Sequence, residues 1–390
     1  MRVLVAHNLY RSAAPSGENT LVRAEIDLLR SGGVEVVEQL EDSDSLTGVR
    51  GLLTAAPGPV YAPGGVRRFT QLVEQHRPDV VHVHNVYPLL SPYVVRAAVR
   101  HGVPVVQTVH NYRHGCVNGL HLREGRPCTD CLGTTLGLPA VRHGCYRGSR
   151  AQTVPMAIGQ VAHRGTWRSD VARYLALTPF MRDHLAATGV DPRRITIRPT
   201  WVPDPGAAGA PGRDVLYVGR LDEAKGVDRL LDAWQQGGSH SGRTLVVVGD
   251  GPLRGRVEAA VASGTVRWLG QVGTAEVASA MADAAYIVVP SRVFEGYPLA
   301  VAEAFGRGRP VLTVSGGSVG TIVDDETGWV VDPDAGALAD AIRRIGDDET
   351  AARGAAARAV YERDNTPAHG LASLLEVYAA VRDERAGGTG

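Results

Sequence analysis

Short apolar runs rich in valine recur along this chain, and longer segments with the periodicity of amphipathic helices separate them. Strands that are apolar at nearly every position need cover on both faces, and parallel sheets flanked by helices provide that cover. The pattern therefore predicts an α/β protein made of doubly wound parallel sheets. Ligands in such folds bind at the carboxyl ends of the strands. The runs occupy residues 3–6, 80–83, 103–106, 215–218, 245–248, 286–289 and 310–314.

A segment rich in proline and glycine, residues 197–214, divides the chain into two halves of similar size. The 390 residues are enough for two or three domains with cores of their own. We expect a first Rossmann-like domain over residues 1–200, a second over residues 201–368, and a terminal helix at residues 369–390 that packs back on the first domain. Two such domains facing each other across a cleft suit a ligand bound between them.

The charge balance argues against a partner attracted by the overall field of the protein. The 41 basic residues equal the 41 acidic ones, so we expect no nucleic-acid partner. No apolar stretch approaches the roughly 18 residues of a membrane span, and the amino-terminal run is too short for a signal peptide. We therefore predict a cytoplasmic protein, with peripheral contact at the inner membrane face as an alternative.

One loop in the second half has the composition of a pyrophosphate site. After the strand that ends near residue 218, the chain reads Gly219-Arg220, then Lys225-Gly226, and a helix follows. The glycine lets the chain approach an anion closely, and two cations near a helix N-terminus complement phosphate. Lys225 is the single lysine among 41 basic residues, which favours a specific role over a solvated surface charge.

Two glutamates follow a later strand with a spacing that suits an extended ligand. Pro298 is typical of a first helical turn, so Glu295 belongs to the preceding loop and Glu303 to the helix. The helix rises about 7 to 8 Å from Pro298 to Glu303, which allows the two carboxylates to hold opposite ends of one ligand. Free amides at the helix start would face a phosphate between them. The alternative is one glutamate near the cap and one exposed on the helix.

These motifs together resemble the retaining glycosyltransferases of family 4, which have the GT-B fold. The resemblance rests on the GR-x4-KG loop, on GDGP at Gly249–Pro252, and on PS-x3-EG-x6-EA-x3-G at Pro290–Gly308. The first half agrees through a loop at Gly17 and the segments RPDVVHVHN and VPVVQTVHN. The sequence departs from the family at Gly320, where glutamate is common, and in lacking a second glycine before Gly17.

The resemblance implies an enzyme that transfers a hexosyl-type unit from a nucleotide diphosphate sugar to an acceptor hydroxyl with retention. A UDP-sugar is favoured over a GDP-sugar, and the acceptor would be a cell-surface glycan, a glycolipid or a natural product. His110, beside the reacting carbon, and Glu295, on a sugar hydroxyl, would be the catalytic residues, with no catalytic metal. The donor-binding residues would be Gly17, Arg220, Lys225, Gln271, Val272, Gly296, Tyr297, Pro298, Leu299 and Glu303.

The sequence also allows two other functions. A sugar-nucleotide epimerase with the same two-domain architecture would need no acceptor. A non-catalytic nucleotide-sugar-binding protein is less favoured, because both glutamates and both cations of the site are present.

All four cysteines lie within 30 residues, in what would be an insertion in the first domain. In a reducing cytosol, four thiolates grouped in this way fit a tetrahedral structural zinc better than two disulfides. Free thiols or a disulfide pair are the alternatives. The predicted ligands are Cys116, Cys128, Cys131 and Cys145.

Several weaker patterns have simpler interpretations. Gly316–Gly320 matches the G-x-S-x-G nucleophile elbow, but no convincing helix follows it. His82 and His84 share one face of a strand and could ligate a metal, although strand-end histidines at a cleft are more common. We interpret Asp42–Asp44, which lies in a polar segment early in the chain, as a surface turn. Residues 141–173 hold six arginines and one aspartate, for which we favour a solvated helix face over contact with anionic lipid or a phosphorylated acceptor.

Overall fold

Two parallel six-stranded sheets form the framework of this computed structural model, which describes residues 1–12, 16–134, 136–206, 209–237 and 242–387. The first sheet has the order β2-β1-β3-β4-β7-β8. Its strands are joined by helices, and β5 and β6 form a separate hairpin. The strands are β1 (Arg2–Leu9), β2 (Glu35–Asp42), β3 (Val80–Val83), β4 (Val105–Val109), β5 (Leu122–Arg123), β6 (Arg126–Pro127), β7 (Arg173–Ala176) and β8 (Ile195–Ile197). The helices are α1 (Gly17–Ser31), α2 (Gly48–Ala55), α3 (Pro63–His76), α4 (Tyr93–Arg100), α5 (Leu138–His143), α6 (Arg150–Ala162) and α7 (Pro179–Ala187).

The second sheet has the order β11-β10-β9-β12-β13-β14 and is also parallel throughout. Its strands are β9 (Asp214–Val218), β10 (Leu245–Val248), β11 (Val266–Gly270), β12 (Ala284–Val289), β13 (Val311–Val314) and β14 (Gly328–Val331). The helices are α8 (Val227–Gln236), α9 (Arg254–Val261), α10 (Thr274–Ala282), α11 (Leu299–Gly306), α12 (Ala335–Arg344), α13 (Asp347–Val360) and α14 (Pro367–Gly387).

The apolar runs of the sequence form the buried strands of both sheets, which confirms the predicted α/β fold class. All four residues of β3, β10 and β13 are buried, as expected for strands covered on both faces. Each sheet has a core of its own, in which valine and leucine side chains of the strands pack against the inner faces of the helices. Gly17 is the first residue of α1, whereas we expected a loop there.

Contact density divides the chain into two compact units. The first contains residues 1–121, 129–198 and the chain from Leu371 onward, and the second contains residues 122–128 and 199–370. Helix α14 joins the core of the first unit through four buried side chains that pack with β1 and α1. These are Leu374, Val377, Tyr378 and Val381.

Candidate active site

In the second unit, the loops after β9 and β12 meet at the carboxyl edge of the sheet, because these two strands are neighbours. The Arg292 amide donates to the Ala224 carbonyl oxygen over 2.9 Å and ties the loops together. Gly226 has a φ of 73°, and a Cβ there would lie 2.0 Å from the Pro290 carbonyl oxygen. The close approach therefore requires glycine at position 226.

This loop contact brings together two residues that the sequence assigned to different parts of a ligand. The Lys225 ammonium lies 2.7 and 2.9 Å from the two carboxylate oxygens of Glu295. The Ser291 hydroxyl donates to Glu295 Oε1 over 2.7 Å. The Lys225 side chain is 35% exposed and that of Glu295 12%, so the pair lies at the surface of the loop cluster with its carboxylate largely shielded.

Arg220 lies in the same loop with most of its side chain in solvent. Its guanidinium pairs with the Asp222 carboxylate, and the side chain is 66% exposed. The other Asp222 oxygen accepts from the Lys225 amide over 2.9 Å. Arg220 is thus available to an anion at the loop, while Asp222 shapes the turn between the two cations.

Helix α11 begins after Pro298 and carries the second predicted glutamate. Glu303 is partly buried, and this burial raises the pKa of its carboxyl, while Arg307 opposes the rise. Tyr297 is buried, and its hydroxyl accepts from the Asn365 side chain over 3.1 Å. The Tyr297 side chain therefore anchors the helix start, and any ligand contact at this position would come from its backbone.

The remaining predicted donor residues of the second unit follow the same edge of its sheet, whereas Gly17 lies at the start of α1 in the first unit. Gln271 and Val272 come directly after the edge strand β11, with Gln271 exposed and Val272 partly buried. Gly296 and Leu299 lie on either side of Pro298 at the start of α11.

Two contributions to this edge were not assigned a role from the sequence. Gly249 has a φ of 132°, and a Cβ there would lie 2.0 Å from the Gly219 carbonyl oxygen, so the GDGP motif packs closely against the loop that carries Arg220 and Lys225. Ser291, within the PS-x3-E motif, orients the Glu295 carboxylate. The sequence signal that could have indicated this role is a serine hydroxyl four residues before the glutamate.

In the first unit, the carboxyl ends of β1, β3 and β4 lead into a polar pocket. It is lined in part by Glu18, Asn85, His110, Asn111 and Arg113. The Tyr10 hydroxyl donates to Glu18 over 3.2 Å. Burial raises the pKa of Glu18 to about 7, although Arg113 opposes this rise.

His110 follows β4 directly, as the sequence predicted. Its Nε2 lies 3.0 Å from Nδ1 of His84, and the two rings are stacked. Burial lowers the pKa of His110 to about 3 and that of His84 well below its usual value. Both rings are therefore neutral at neutral pH.

The chain matches two family models that together cover most of its length. "Glycosyl transferase 4-like domain" matches residues 6–201, and "Glycosyl transferases group 1" matches residues 212–348. The chain belongs to the GT-B glycosyltransferases. The first of these matches covers the first parallel sheet, and the second match covers the second sheet.

Individual relatives agree with this family. The chain is 34% identical over 113 residues to the uncharacterised glycosyltransferase MJ1178 of Methanocaldococcus jannaschii, a match that spans 28% of this chain and 31% of that protein. It is 30% identical over 322 residues to the 2-deoxystreptamine N-acetyl-D-glucosaminyltransferase of Streptomyces fradiae, across 80% of this chain and 70% of that enzyme. Anabaena HepE, solved in complex with UDP, has the same fold, with a TM-score of 0.66, 16% identity and coverage of 97% of this chain and 100% of HepE.

The cysteines of this glycosyltransferase all lie in the described part of the chain, and none forms a disulfide. Cys116 is buried, and its Sγ donates to the Asn118 side chain over 2.9 Å. Cys131 and Cys145 pack against a small apolar cluster on α5 and α6. Zinc binding stays a prediction.

The structure gives the G-x-S-x-G motif of this glycosyltransferase a structural role. Ser318 is fully buried, and its hydroxyl donates to the backbone carbonyl oxygen of Glu295. A short 3₁₀ turn, Val319–Thr321, follows in place of a nucleophile-bearing helix. Ser318 thus holds the Glu295 loop in place.

Glu25, His82 and His84 have ligand atoms within 4.8 Å of one another and form a group that could hold a metal ion. However, Arg198 Nη1 already donates to Glu25 over 2.7 Å. Both ring nitrogens of His82 also have partners, the Tyr378 hydroxyl at 2.7 Å and the Thr108 hydroxyl at 2.8 Å. The chemistry of this group in the glycosyltransferase is that of a hydrogen-bond network.

Proposed function

We propose that this glycosyltransferase transfers a hexosyl-type unit from a nucleotide diphosphate sugar to an acceptor hydroxyl, with retention of anomeric configuration. The observation that carries the proposal is the cluster of Lys225, Glu295 and Ser291 at the carboxyl edge of the second sheet. Parallel sheets bind ligands at this edge, and the cluster offers a cation and a carboxylate side by side. The structure of HepE with UDP-glucose supports a UDP-sugar as donor.

The charges of the cluster suggest how the two halves of the donor would be held. An ammonium has three N–H donors, and the two carboxylate oxygens of Glu295 engage at most two of them. The third donor can meet a pyrophosphate oxygen, and Arg220 supplies a second cation. Glu295 would accept a hydrogen bond from a sugar hydroxyl, and Glu303 from the ribose. These cations and the α11 amides would stabilise the leaving phosphate without a catalytic metal.

The assignment of roles to the two domains is part of the same proposal. Residues 201–368 would bind the nucleotide sugar, and residues 1–200 would bind the acceptor and contribute His110. The acceptor would be a glycan, a glycolipid or a natural product. The named activity of the Streptomyces fradiae relative makes amino-cyclitols reasonable first acceptors to test.

We also propose peripheral contact with an anionic membrane through α6. Three apolar residues on one helix face are exposed, Val154 by 38%, Ile158 by 52% and Val161 by 38%. Exposed arginines precede this face at positions 142, 147 and 150. Exposed arginines beside an apolar helix face are typical of an interfacial helix, and they support this proposal over the solvated helix face that the sequence favoured. No helix in the described part of the chain is long and apolar enough to cross a membrane.

A screen of nucleotide sugars by thermal shift tests the donor assignment. A ligand at a hundredfold excess over its dissociation constant stabilises the folded state by about 2.7 kcal/mol, so the true donor should raise the melting temperature clearly. Glu295→Gln should bind UDP normally but turn over slowly, whereas Glu303→Ala should bind UDP weakly. Donor incubated alone would reveal an epimerase, and donor with acceptor followed by NMR gives the anomeric configuration of the product. Failure of every sugar nucleotide to bind would refute the proposal.

A further inference from the structure

A chain of buried polar side chains connects helix α1 with His110. Glu25 lies on the inner face of α1, and its Oε2 accepts from Arg198 Nη1 over 2.7 Å. Its other oxygen, Oε1, lies 3.5 Å from Nε2 of His84. Nδ1 of His84 lies 3.0 Å from Nε2 of His110. Glu25, His84 and Arg198 are each at least 94% buried.

A hydrogen bond between Glu25 and His84 can be inferred because each residue has one buried polar atom with no other hydrogen-bond partner. Glu25 Oε1 and His84 Nε2 are both buried, and within the described residues neither has another hydrogen-bond partner. Buried polar atoms in native proteins are almost always paired, and these two complement each other across 3.5 Å. Nε2 of His84 therefore carries the ring proton, and this N–H donates a hydrogen bond to Glu25 Oε1.

His82 could compete for the same oxygen, because its Nδ1 lies 3.4 Å from Glu25 Oε1. However, the buried Tyr378 hydroxyl lies closer to that nitrogen, at 2.7 Å, and a phenol has one proton to donate. Nδ1 of His82 then accepts from Tyr378, and Nε2 donates to the Thr108 hydroxyl at 2.8 Å. This arrangement leaves Glu25 Oε1 to His84.

The tautomer of each neutral ring follows from these contacts. A neutral imidazole has one N–H and one lone pair. Since His84 donates through Nε2, its Nδ1 must accept, and the N–H on His110 must be on Nε2. Nδ1 of His110 is then left with a lone pair. The burial that lowers the pKa of both rings keeps the arrangement neutral over the physiological pH range.

We infer that Glu25 and His84 are positioning residues that hold His110 in the tautomer protonated on Nε2, so that its Nδ1 accepts a hydrogen bond from a hydroxyl of the sugar substrate. This inference rests on the proposed function for its biological meaning, but the tautomer itself does not depend on it. Arg198 donates to Glu25 Oε2 over 2.7 Å and so fixes the orientation of the carboxylate at the start of the relay formed by Glu25, His84 and His110. A hydroxyl donor to His110 would orient the sugar without adding a positive charge near the reacting carbon.

The tautomer can be observed directly in unliganded protein labelled with ¹⁵N-histidine. Long-range ¹H–¹⁵N correlation should show the His110 ring protonated on Nε2, with a slowly exchanging proton, and the His110→Gln variant assigns the signal. His84→Leu removes the acceptor at nearly constant volume, so that proton should exchange fast and the tautomers should mix. His84→Asn places an amide oxygen near the former Nδ1 and should restore the slow exchange.

Kinetics separate positioning from a structural role. With the donor found in the thermal-shift screen, His84→Leu and Glu25→Gln should lower kcat roughly tenfold and leave the Kd for UDP within about twofold. His84→Asn should recover most of the loss. His163→Leu is the matched control, because His163 is a buried histidine of the same unit that contacts the Val60 carbonyl oxygen and not the relay.

The outcomes distinguish this inference from the proposed function. A His110 ring protonated on Nδ1, or a signal that His84→Leu leaves unchanged, overturns the relay even in an active glycosyltransferase. A ¹⁵N shift of His82 and His84 on addition of zinc also overturns it and assigns a metal site. The expected tautomer in a protein without transferase activity would support the relay and refute the enzyme.

Discussion

Lys225 contacts both carboxylate oxygens of Glu295. A single substitution at this position can therefore test whether the site requires a lysine or accepts any cationic side chain. A lysine ammonium is a compact charge with three donors, whereas an arginine guanidinium is a wide planar fork. The fork suits a bidentate pair with Glu295. In that pair, its remaining donors point away from the position where the ammonium can meet a phosphate. Arginine at position 225 would therefore keep the ion pair and lose the proposed ligand contact.

We expect Lys225→Arg to fold normally and to lose about one to two powers of ten in kcat/KM, because a charge-assisted contact contributes about 1.5 to 3 kcal/mol. Calorimetry with UDP should show weaker binding to this variant. Arg267→Lys is a matched control, since it exchanges the same residue types in a solvent-exposed pair with Asp214. Wild-type efficiency in Lys225→Arg would show that the lysine has no special role.

Residues close in sequence were easier to predict than residues brought together by the fold. The loop glycines, Lys225 and the two glutamates belong to short motifs, so their neighbourhood can be read from spacing. The relay behind His110 joins Glu25 to Arg198, 173 positions apart, and no local pattern links them. The ion pair of Lys225 with Glu295 has the same origin, because it depends on the adjacency of β9 and β12.

The positions of the strands were predicted correctly from the sequence, because a strand buried on both faces is an uninterrupted run of apolar residues. Helix faces are less predictable from composition. The apolar residues of α6 divide between a buried face with Met156 and Ala157 and an exposed face with Ile158. Arginines around the helix suggested a polar outer surface, but most of them lie before and after the helix and not on its exposed side.

The exposed face of α6 predicts binding to lipid vesicles. Flotation with vesicles containing phosphatidylglycerol should recover the wild-type protein, and added salt should weaken the interaction because arginines contribute. Ile158→Glu should abolish flotation and leave the melting temperature unchanged. Val99→Glu is the control, as Val99 is an exposed valine on α4 of the same unit. Equal recovery of both variants would argue against a membrane role for α6.

The cysteine segment predicts one zinc ion per chain in protein purified without added metal. Four thiolates would order the segment that contains the β5–β6 hairpin, and metal binding would contribute directly to its stability. Cys128→Ser should release the zinc and lower the melting temperature. Plasma emission spectrometry measures the metal content. Metal-free protein with four titratable thiols and an unchanged melting temperature would favour the free-thiol alternative.

At the scale of the whole molecule, the buried histidines of the first unit predict loss of stability in acid. Burial lowers the pKa of each from the usual 6.5, so the unfolded chain binds protons more readily than the folded one. Their contribution is complete above about pH 6.5 and is lost as the pH falls toward the folded-state values. These values are about 4 for His7, His82 and His114, and about 3 for His110 and His184.

Calorimetry between pH 7.5 and 4.5 should therefore show a melting temperature that falls with pH. Glu18, whose pKa burial raises to about 7, acts in the opposite direction, because its protonated form favours the folded state. Because five histidines act in one direction and one glutamate in the other, we expect a net loss of stability in acid. His114→Phe retains a ring against Trp167 and Tyr174 and should make the fall less steep. A melting temperature independent of pH would contradict the neutral buried histidines.

The packing of α14 on β1 and α1 has a consequence for the order in which the protein can be made. A ribosome delivers the first sheet long before it delivers Leu374 and Tyr378, yet these side chains complete that core. Until α14 has been synthesised, the first unit lacks the side chains that cover one apolar face of its core and the Tyr378 hydroxyl that contacts His82. Domains usually mature in chain order, from the amino terminus onward. Here the core of the first unit depends on a helix that is synthesised after the second unit, so this unit cannot complete its core before the second unit has been made.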